Sequence, residues 1–241
     1  MKKWDLSSAG LHILAMIFML LDHLWATVVP GNDWMTCVGR MAFPIFAFLL
    51  VEGYFHTSNL KNYAFRLLIG ALISEIPFNM MLTGRFFFPF HQNVLWTFLI
   101  SLGLIHWNEK HKDAAPLRRG LYFGASVILG LILGTLTMVD YYGWGVAMVL
   151  VFYLFRGKNW PCQMLVFYWI NGVLMEGLVY EFEILGRMIT VNQQAFAVLA
   201  LIPIWFYRGR QGVSSKAFRT FCYLFYPAHM LILGLMGIFW K

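Results

Sequence analysis

The sequence predicts an all-α, polytopic integral membrane protein that forms one transmembrane domain over residues 1–241. Hydrophobic residues make up 60% of the chain and charged residues 12%, whereas soluble domains are about half apolar and one-quarter charged. Several apolar runs reach the roughly 20 residues that cross a hydrocarbon core of about 30 Å. Turn-forming stretches such as Pro30-Gly31-Asn32-Asp33 separate these runs. We therefore expect about nine transmembrane helices.

The predicted helices follow the apolar runs in chain order. The first run is longer than a signal peptide core and contains Asp22 and His23, so we expect it to remain as a span. The fourth, sixth and eighth runs are short, and we expect them to be tilted, half-spanning or extended at their ends. The predicted ranges are 8–29, 35–55, 62–83, 93–107, 118–138, 143–156, 161–180, 192–207 and 217–239.

The distribution of Lys and Arg predicts the orientation. With a cytoplasmic N-terminus, 14 of the 18 Lys and Arg residues lie in or next to cytoplasmic loops, as the positive-inside rule requires. The other four are Arg40, Arg85, Arg187 and Lys241. Anionic lipid next to the cytoplasmic face accounts for the net charge of +7, so no nucleic acid partner is expected. We predict a multi-pass protein of the bacterial plasma membrane, in contact with membrane lipids.

Several polar and ionisable residues lie inside the predicted spans or at their ends. Their burial in a membrane is costly, and such residues usually mark a functional site. The helical rise of 1.5 Å per residue places them in a shared layer at the midplane or outward of it. The members of this layer are Asp22, His23, Arg40, Glu75, Asn93, Asp140, Tyr226 and His229.

Each member of the layer also has a purely structural interpretation. Asp22 and His23 are about 100° apart on a helix, so they cannot both face one partner without a local distortion. Arg40 fits either a counter-ion of Asp22 or Glu75, or a contact to a substrate. His229 fits either an acid–base group or a hydrogen bond between helices. These alternatives stay open at the level of sequence.

Two further polar pairs have the spacing of neighbours on a helix. Glu52 and His56 are four residues apart near the cytoplasmic end of the second span, which favours a surface pair. Glu75 and Asn79 flank Pro77, whose kink frees backbone groups that polar side chains can satisfy. Both pairs are interpreted as structural.

The sequence contains no recognisable metal or nucleotide motif. There is no His-Glu-x-x-His pattern, no zinc-type cysteine pair and no phosphate-binding glycine loop. There is also no Gly-x-Ser-x-Gly nucleophile motif. No metal ion is therefore expected.

The polar residues of the layer fall within local strings that resemble a known family. The most specific strings are Gly39-Arg40-Met41-Ala42-Phe43-Pro44-Ile45-Phe46 and Tyr226-Pro227-Ala228-His229. Others are the run that ends in Leu21-Asp22-His23, Glu75-Ile76-Pro77-Phe78-Asn79, Asn93-Val94-Leu95-Trp96-Thr97 and Asp140-Tyr141-Tyr142-Gly143. In this order the strings resemble the TraX family, named for a conjugation protein that acetylates the N-terminus of pilin. That family in turn is similar to the wider acyltransferase-3 group of transmembrane acyltransferases.

The resemblance implies an acetyltransferase that passes an acetyl or other acyl group from cytoplasmic acyl-CoA to an amine or hydroxyl at the outer face. The acceptor would be a peptide, a pilin N-terminus or a small molecule. Acyl transfer needs a base and donors for the developing oxyanion. An imidazole such as that of His23 exchanges a proton near neutral pH, and Asp22 or Glu75 would orient it.

We assign the candidate residues to three roles. The catalytic candidates are His23, Asp22, Arg40 and His229. The candidates for substrate binding are Glu75, Asn93, Asp140 and Tyr226. The candidates for holding acetyl-CoA at the basic face are Arg66, Arg118, Arg119, Arg156 and Lys158.

Two other functions fit the same residues. Buried charges in one layer also describe a proton-coupled transporter or channel, although the sequence shows no matched broken helices in two halves. A noncatalytic scaffold for a pilus or secretion machine is the third interpretation. The sequence leaves open the acceptor, the acyl chain length and whether the chain forms a homo-oligomer.

Overall fold

A computed structural model describes residues 5–157, 160–184, 186–213 and 215–239, and these ranges are mainly helical. The α-helices are α1 Ser8–Thr27, α2 Asp33–Gly39, α3 Ala42–His56, α4 Leu60–Thr83, α5 Val94–Lys110, α6 Pro116–Leu136, α7 Tyr142–Leu154, α8 Trp160–Tyr168, α9 Leu201–Trp205 and α10 Lys216–Phe239. A π-helical segment, Trp169–Leu174, continues α8, and a 3₁₀ segment, Gln193–Ala200, precedes α9. Between these two segments lie strands β1 Val179–Ile184 and β2 Arg187–Asn192.

Within the described ranges, five helices are long and apolar enough to cross a membrane. They are Ser8–Thr27, Asp33–His56, Leu60–Thr83, Pro116–Leu136 and Lys216–Ile238. The fourth, sixth and eighth predicted segments are shorter, as expected, because α5 has 17 residues, α7 has 13 and the last is Gln193–Trp205. The total of nine transmembrane helices stays a prediction.

The prediction of one helix over 161–180 is wrong in its last part. The helix ends at Leu174, and residues 179–192 form an antiparallel hairpin. In β1, apolar residues alternate with Glu181 and Glu183, which is the two-residue period of a strand and not a helical period. Gly186, at φ +72°, makes the turn between the strands.

Two other predicted helices are interrupted, and the remaining six agree with the structure to within three residues. The second predicted span is divided into α2 and α3 by a turn at Arg40–Met41. The eighth begins in the tighter 3₁₀ geometry before it becomes α9. The first of these breaks places Arg40 at a helix end, where its side chain can reach across to α1.

Helices α3 and α7 form the centre of the bundle. Helix α7 is apolar on all sides and is buried along its length, with Val146, Met148 and Leu150 fully buried, as expected for a helix that is hydrophobic all round. Helix α1 packs on α2, α3 and α10, and α10 packs on α4. Helices α6 and α7 approach closely, because a Cβ on Gly134 would lie 2.8 Å from the backbone of Gly143.

Contacts between segment ends define two ends of the bundle. At the first end, Leu6 pairs with Tyr207, and Tyr153 donates a hydrogen bond to Glu109. Eleven of the 14 Lys and Arg residues in the described ranges lie at this end, and we call it the basic end. At the opposite end, Gln92 pairs with Val139. That end carries the hairpin and seven of the chain's 11 carboxylates, namely Asp22, Asp33, Glu75, Asp140, Glu176, Glu181 and Glu183.

Candidate functional site

A histidine pair joins α1 to α10 in the half of the bundle away from the basic end. The Nδ1 atom of His23 lies 2.7 Å from Nε2 of His229, and the two rings are nearly parallel, at 6°. His229 is buried, whereas His23 is partly exposed. The pair therefore has an inner member that is fixed and an outer member that a substrate can reach.

The hydrogen bonds of the pair determine which nitrogen atoms carry protons. The Nδ1 atom of His229 lies 2.6 Å from the carbonyl oxygen of Phe225. A carbonyl only accepts, so His229 Nδ1 donates, and in neutral His229 the Nε2 atom must accept. His23 therefore donates from Nδ1 and keeps a lone pair on Nε2. The arrangement leaves His23 Nε2 as a proton acceptor.

An ion pair between Asp22 and Arg40 lies next to the histidine pair. Arg40 Nη2 donates to Asp22 Oδ2, and the Thr36 hydroxyl donates to Asp22 Oδ1 over 2.6 Å. Gln193 in turn donates to the Thr36 oxygen over 2.7 Å. Asp22 is thus the counter-ion of Arg40. The prediction that Asp22 or Glu75 orients the His23 imidazole is corrected, because His229 occupies that position.

Glu75 is held at the start of α5. Asn93 and Trp96 both donate hydrogen bonds to Glu75 Oε2, the latter over 3.1 Å. Asn93 also caps α5, accepting from the Leu95 N–H over 3.1 Å. Among the described residues, neither the other carboxylate oxygen, Glu75 Oε1, nor Arg40 Nε has a hydrogen-bond partner, although both atoms are buried. Such groups are rare, and each calls for an explanation such as a catalytic role or a bound water or ion.

The segment before α7 is strained and carries Asp140 to the same region. Met138, Tyr141 and Tyr142 have positive φ values of 52°, 61° and 47°, a conformation that costs energy for side chains of this kind. Asp140 Oδ1 lies 3.4 Å from Nε2 of His91. The Tyr141 ring stacks on Phe43, with centroids 4.3 Å apart. Backbone strain of this kind is concentrated at functional sites.

The structure brings the eight predicted residues of the layer together. Asp140 and Arg40 are near enough to His23 for their charges to act on its imidazole, and Tyr226 lies near both Asp140 and Glu75. We call these eight residues the polar cluster: Asp22, His23, Arg40, Glu75, Asn93, Asp140, Tyr226 and His229. Within the described ranges, no group of three or more His, Cys, Asp or Glu side chains is placed to hold a metal ion.

Several residues beside this cluster were not predicted. Thr36, Trp96 and His91 contact its carboxylates, Tyr141 donates its backbone N–H to Asp140, and Gln193 reaches the cluster through Thr36. Thr36 could have been predicted as a neighbour of Arg40, since it lies four residues before Arg40 and so on the same helix face. For Tyr141 and Trp96, the sequence offers no indication beyond their places in the family strings. Gln193 reaches the cluster only because the unpredicted hairpin positions the segment that follows it.

The residues predicted to hold acetyl-CoA do not converge. Arg66 is exposed and donates to the Tyr223 hydroxyl over 3.3 Å. Arg118 and Arg119 are exposed in the first turn of α6, and Lys158 lies outside the described residues. Arg156 differs, because it lines a cavity of about 750 Å³ at the basic end.

Arg156 forms an ion pair with Glu52, which the spacing along the sequence had paired with His56. Its Nε and Nη2 atoms donate to the two carboxylate oxygens of Glu52 over 2.6 and 3.3 Å. The predicted pair of Glu52 and His56 is also present, since Nδ1 of the exposed His56 lies 3.8 Å from Glu52 Oε2. Glu52 is buried, however, and its closer partner is Arg156.

Comparison with known proteins finds relatives that match nearly the whole chain. The chain is 28% identical to the probable fimbrial assembly protein FimC, serogroup H1, of Dichelobacter nodosus, over 95% of each chain. It is 23% identical to Protein TraX of Escherichia coli, over 93% of this chain and 85% of the relative. For Protein TraX of E. coli strain K12 the identity is 24%, with the same coverage. No solved structure matches.

The sequence model of one family, described as TraX protein, matches residues 7–237. The match includes all eight residues of the polar cluster and both sides of the cavity at the basic end. The chain belongs to the TraX family.

Proposed function

We propose that this protein is a membrane-embedded acetyltransferase. It would pass an acetyl or other acyl group from cytoplasmic acyl-CoA to an amine or hydroxyl acceptor at the outer face. The observation that carries the proposal is the histidine pair, because the Phe225 carbonyl and His229 together leave His23 Nε2 free to accept a proton. No other imidazole in the polar cluster has that arrangement.

The proposal includes nine transmembrane segments in the bacterial plasma membrane, with the N-terminus in the cytoplasm. Lys and Arg gather at the basic end, as the positive-inside rule requires if that end is cytoplasmic. The polar cluster then lies in the outer half. From Glu52 to Ala42, the first residue of α3 after the break at Arg40, the rise is about 15 Å, a distance that the flexible arm of acyl-CoA would have to cross.

The proposed reaction is direct transfer to the acceptor. An amine nitrogen attacks the thioester carbonyl, a C–N bond forms, and the C–S bond breaks to release CoA thiolate. His23 Nε2 takes the proton that leaves the nitrogen and passes it to the thiolate, so that His23 ends neutral. His229 keeps the imidazole in the correct tautomer and orientation, the role that a second group has in other catalytic pairs.

Two unsatisfied atoms of the cluster suit the two reaction partners. Arg40 Nε is a buried donor without a partner and would bind the carbonyl oxygen as negative charge develops on it. Glu75 Oε1 is a buried acceptor without a partner and would bind the N–H of the acceptor amine. Asn93 and Trp96 hold the Glu75 carboxylate in place. Asp140 and Tyr226 would form the rest of the lining of the acceptor site.

The class of acceptor is suggested by the charge of the outer end and by the name of one relative. The outer end carries seven carboxylates and few basic residues, which attracts a cationic amine. One relative is named for fimbrial assembly. A peptide amine, such as the N-terminus of a pilus subunit, is therefore the acceptor that we propose to test first.

The test uses purified protein, labelled acetyl-CoA and peptides with free or blocked N-termini. We expect label on the free peptide only, and a loss of at least about 100-fold in rate for His23→Asn. His111→Asn, in a loop at the basic end, is the matched control and should retain the rate. Full activity in a folded His23→Asn variant removes the proposed base. Absence of transfer, with ion or solute flux in liposomes, favours the transporter.

A further inference from the structure

The cavity at the basic end combines charge and aromatic surface. It lies between the ends of α3, α7 and α9 and the start of α8. Its volume of about 750 Å³ is that of a typical small-molecule site. Its walls are mostly apolar and aromatic, with one ion pair. Its lining includes Glu52, Arg156, Trp160, Gln163, Trp205 and Tyr207.

Arg156 is presented to the cavity in a geometry that suits phosphate. Its guanidinium lies over the Phe55 ring, 4.1 Å from the centroid, and makes two hydrogen bonds to the Glu52 carboxylate. A planar guanidinium binds carboxylate and phosphate oxygens in the same two-point manner. The Glu52 carboxylate, whose side chain is only 12% exposed, thus occupies the position that an anionic ligand would take.

The opposite wall offers aromatic surface. The rings of Trp160 and Trp205 meet edge to face, 5.2 Å apart, and Trp205 donates to the Gln163 side chain over 3.3 Å. Aromatic faces of this kind bind a planar heterocycle. Arg208 follows Tyr207 directly and adds positive charge beside the cavity. A ligand with both a planar base and phosphate groups fits these walls.

We propose that this cavity binds the nucleotide end of the acyl-CoA donor, and that Arg156 exchanges Glu52 for a donor phosphate when the donor enters. This inference rests on the proposed function for the identity of the donor. It goes beyond that function in assigning a specific site, and in making Glu52 an internal competitor of the phosphate. The two members of the ion pair should then affect affinity in opposite directions.

The test measures CoA binding to purified protein in nanodiscs, without any acceptor. Arg156→Gln removes the charge that binds phosphate and should weaken CoA binding about 10-fold or more. Glu52→Gln removes the carboxylate that competes with phosphate for Arg156, and it should strengthen CoA binding by about threefold. Arg219→Gln removes an exposed charge at the same end and should leave the affinity unchanged. Size-exclusion profiles and melting temperatures confirm that each variant is folded.

The outcomes separate this inference from the proposed function. Equal CoA affinity in wild type, Arg156→Gln and Glu52→Gln overturns the assigned site, even if acetyl transfer occurs. Weaker binding in both variants also overturns it, because the pair then acts only as structural support. CoA binding with opposite shifts but no transfer to any amine supports the site and overturns the acetyltransferase. Absence of both CoA binding and transfer in the wild type overturns both proposals.

Discussion

The bundle has one arginine–carboxylate pair near each end, and their surroundings differ. In the polar cluster, Arg40 and Asp22 have side chains 21% and 15% exposed, and Asp22 is further bound by Thr36. At the basic end, the Glu52 side chain is only 12% exposed, but Arg156 is 36% exposed and both residues line an open cavity. The first pair is fixed by its neighbours, whereas the second can separate while water or a ligand replaces the partner. A fixed pair suits the chemical step, and a separable pair suits binding and release.

The largest expected effect is the loss of Arg40. In Arg40→Gln, the Asp22 carboxylate stays buried without its counter-ion, which costs about 3–5 kcal/mol when such a pair is broken. Arg156→Gln leaves Glu52 beside a cavity that water can enter, so we expect a cost of about 1 kcal/mol. Melting temperatures in one detergent compare the two variants. An equal or larger loss for Arg156→Gln contradicts the distinction between the pairs.

A double variant tests what Arg40 does besides balancing charge. Asp22→Asn combined with Arg40→Gln removes both charges, and we expect most of the lost melting temperature to return. Acetyl transfer should not return, because the donor to the developing oxyanion is still missing. Recovery of both stability and activity makes Arg40 a structural counter-ion only, which is the other interpretation that the sequence left open.

The second-largest expected effect is the fall in kcat when His229, the proposed positioning residue, is replaced. In His229→Leu nothing accepts the His23 Nδ1 proton, so the imidazole loses its fixed tautomer, and we expect a fall in kcat of about 10- to 100-fold. In His229→Gln the amide oxygen can accept that proton, and at least part of the rate should return. The KM for acetyl-CoA should change in neither variant, because the proposed site for the donor's nucleotide lies at the other end of the bundle. Equal rates in the two variants would falsify the tautomer assignment.

The polar cluster could be predicted from sequence because its members are costly in a membrane. Asp22, Arg40 and Glu75 stand out against long apolar runs, and the helical rise alone placed them at similar depth. Their pairing could not be predicted. The partner of Asp22 depends on the break between α2 and α3, and the partner of His23 depends on how α10 packs against α1. Both are tertiary features that local spacing does not encode.

The basic end was harder to predict, because its important residues look ordinary. Trp160, Trp205 and Tyr207 are typical interfacial aromatics, and nothing in the sequence separates those that line a cavity from those that face lipid. Arg156 is one of many cationic residues at this end. Six of the nine helices had nearly correct bounds, since apolar length determines them, but the hairpin at 179–192 was missed, because it lies mostly in the segment between the seventh and eighth predicted helices.

The smallest expected effect concerns the basic residues that line no cavity. Arg118 and Arg119 are exposed at the start of α6, so replacing both by Gln should change CoA affinity less than about twofold at physiological salt. They still add to the positive field that attracts a polyanionic donor, and that field acts mainly on the association rate. Association rates measured at about 0.05 and 0.3 M salt should converge for wild type and variant as screening increases. A change in affinity as large as that of Arg156→Gln, persisting at high salt, shows direct contact with the donor and moves its site from the cavity to α6.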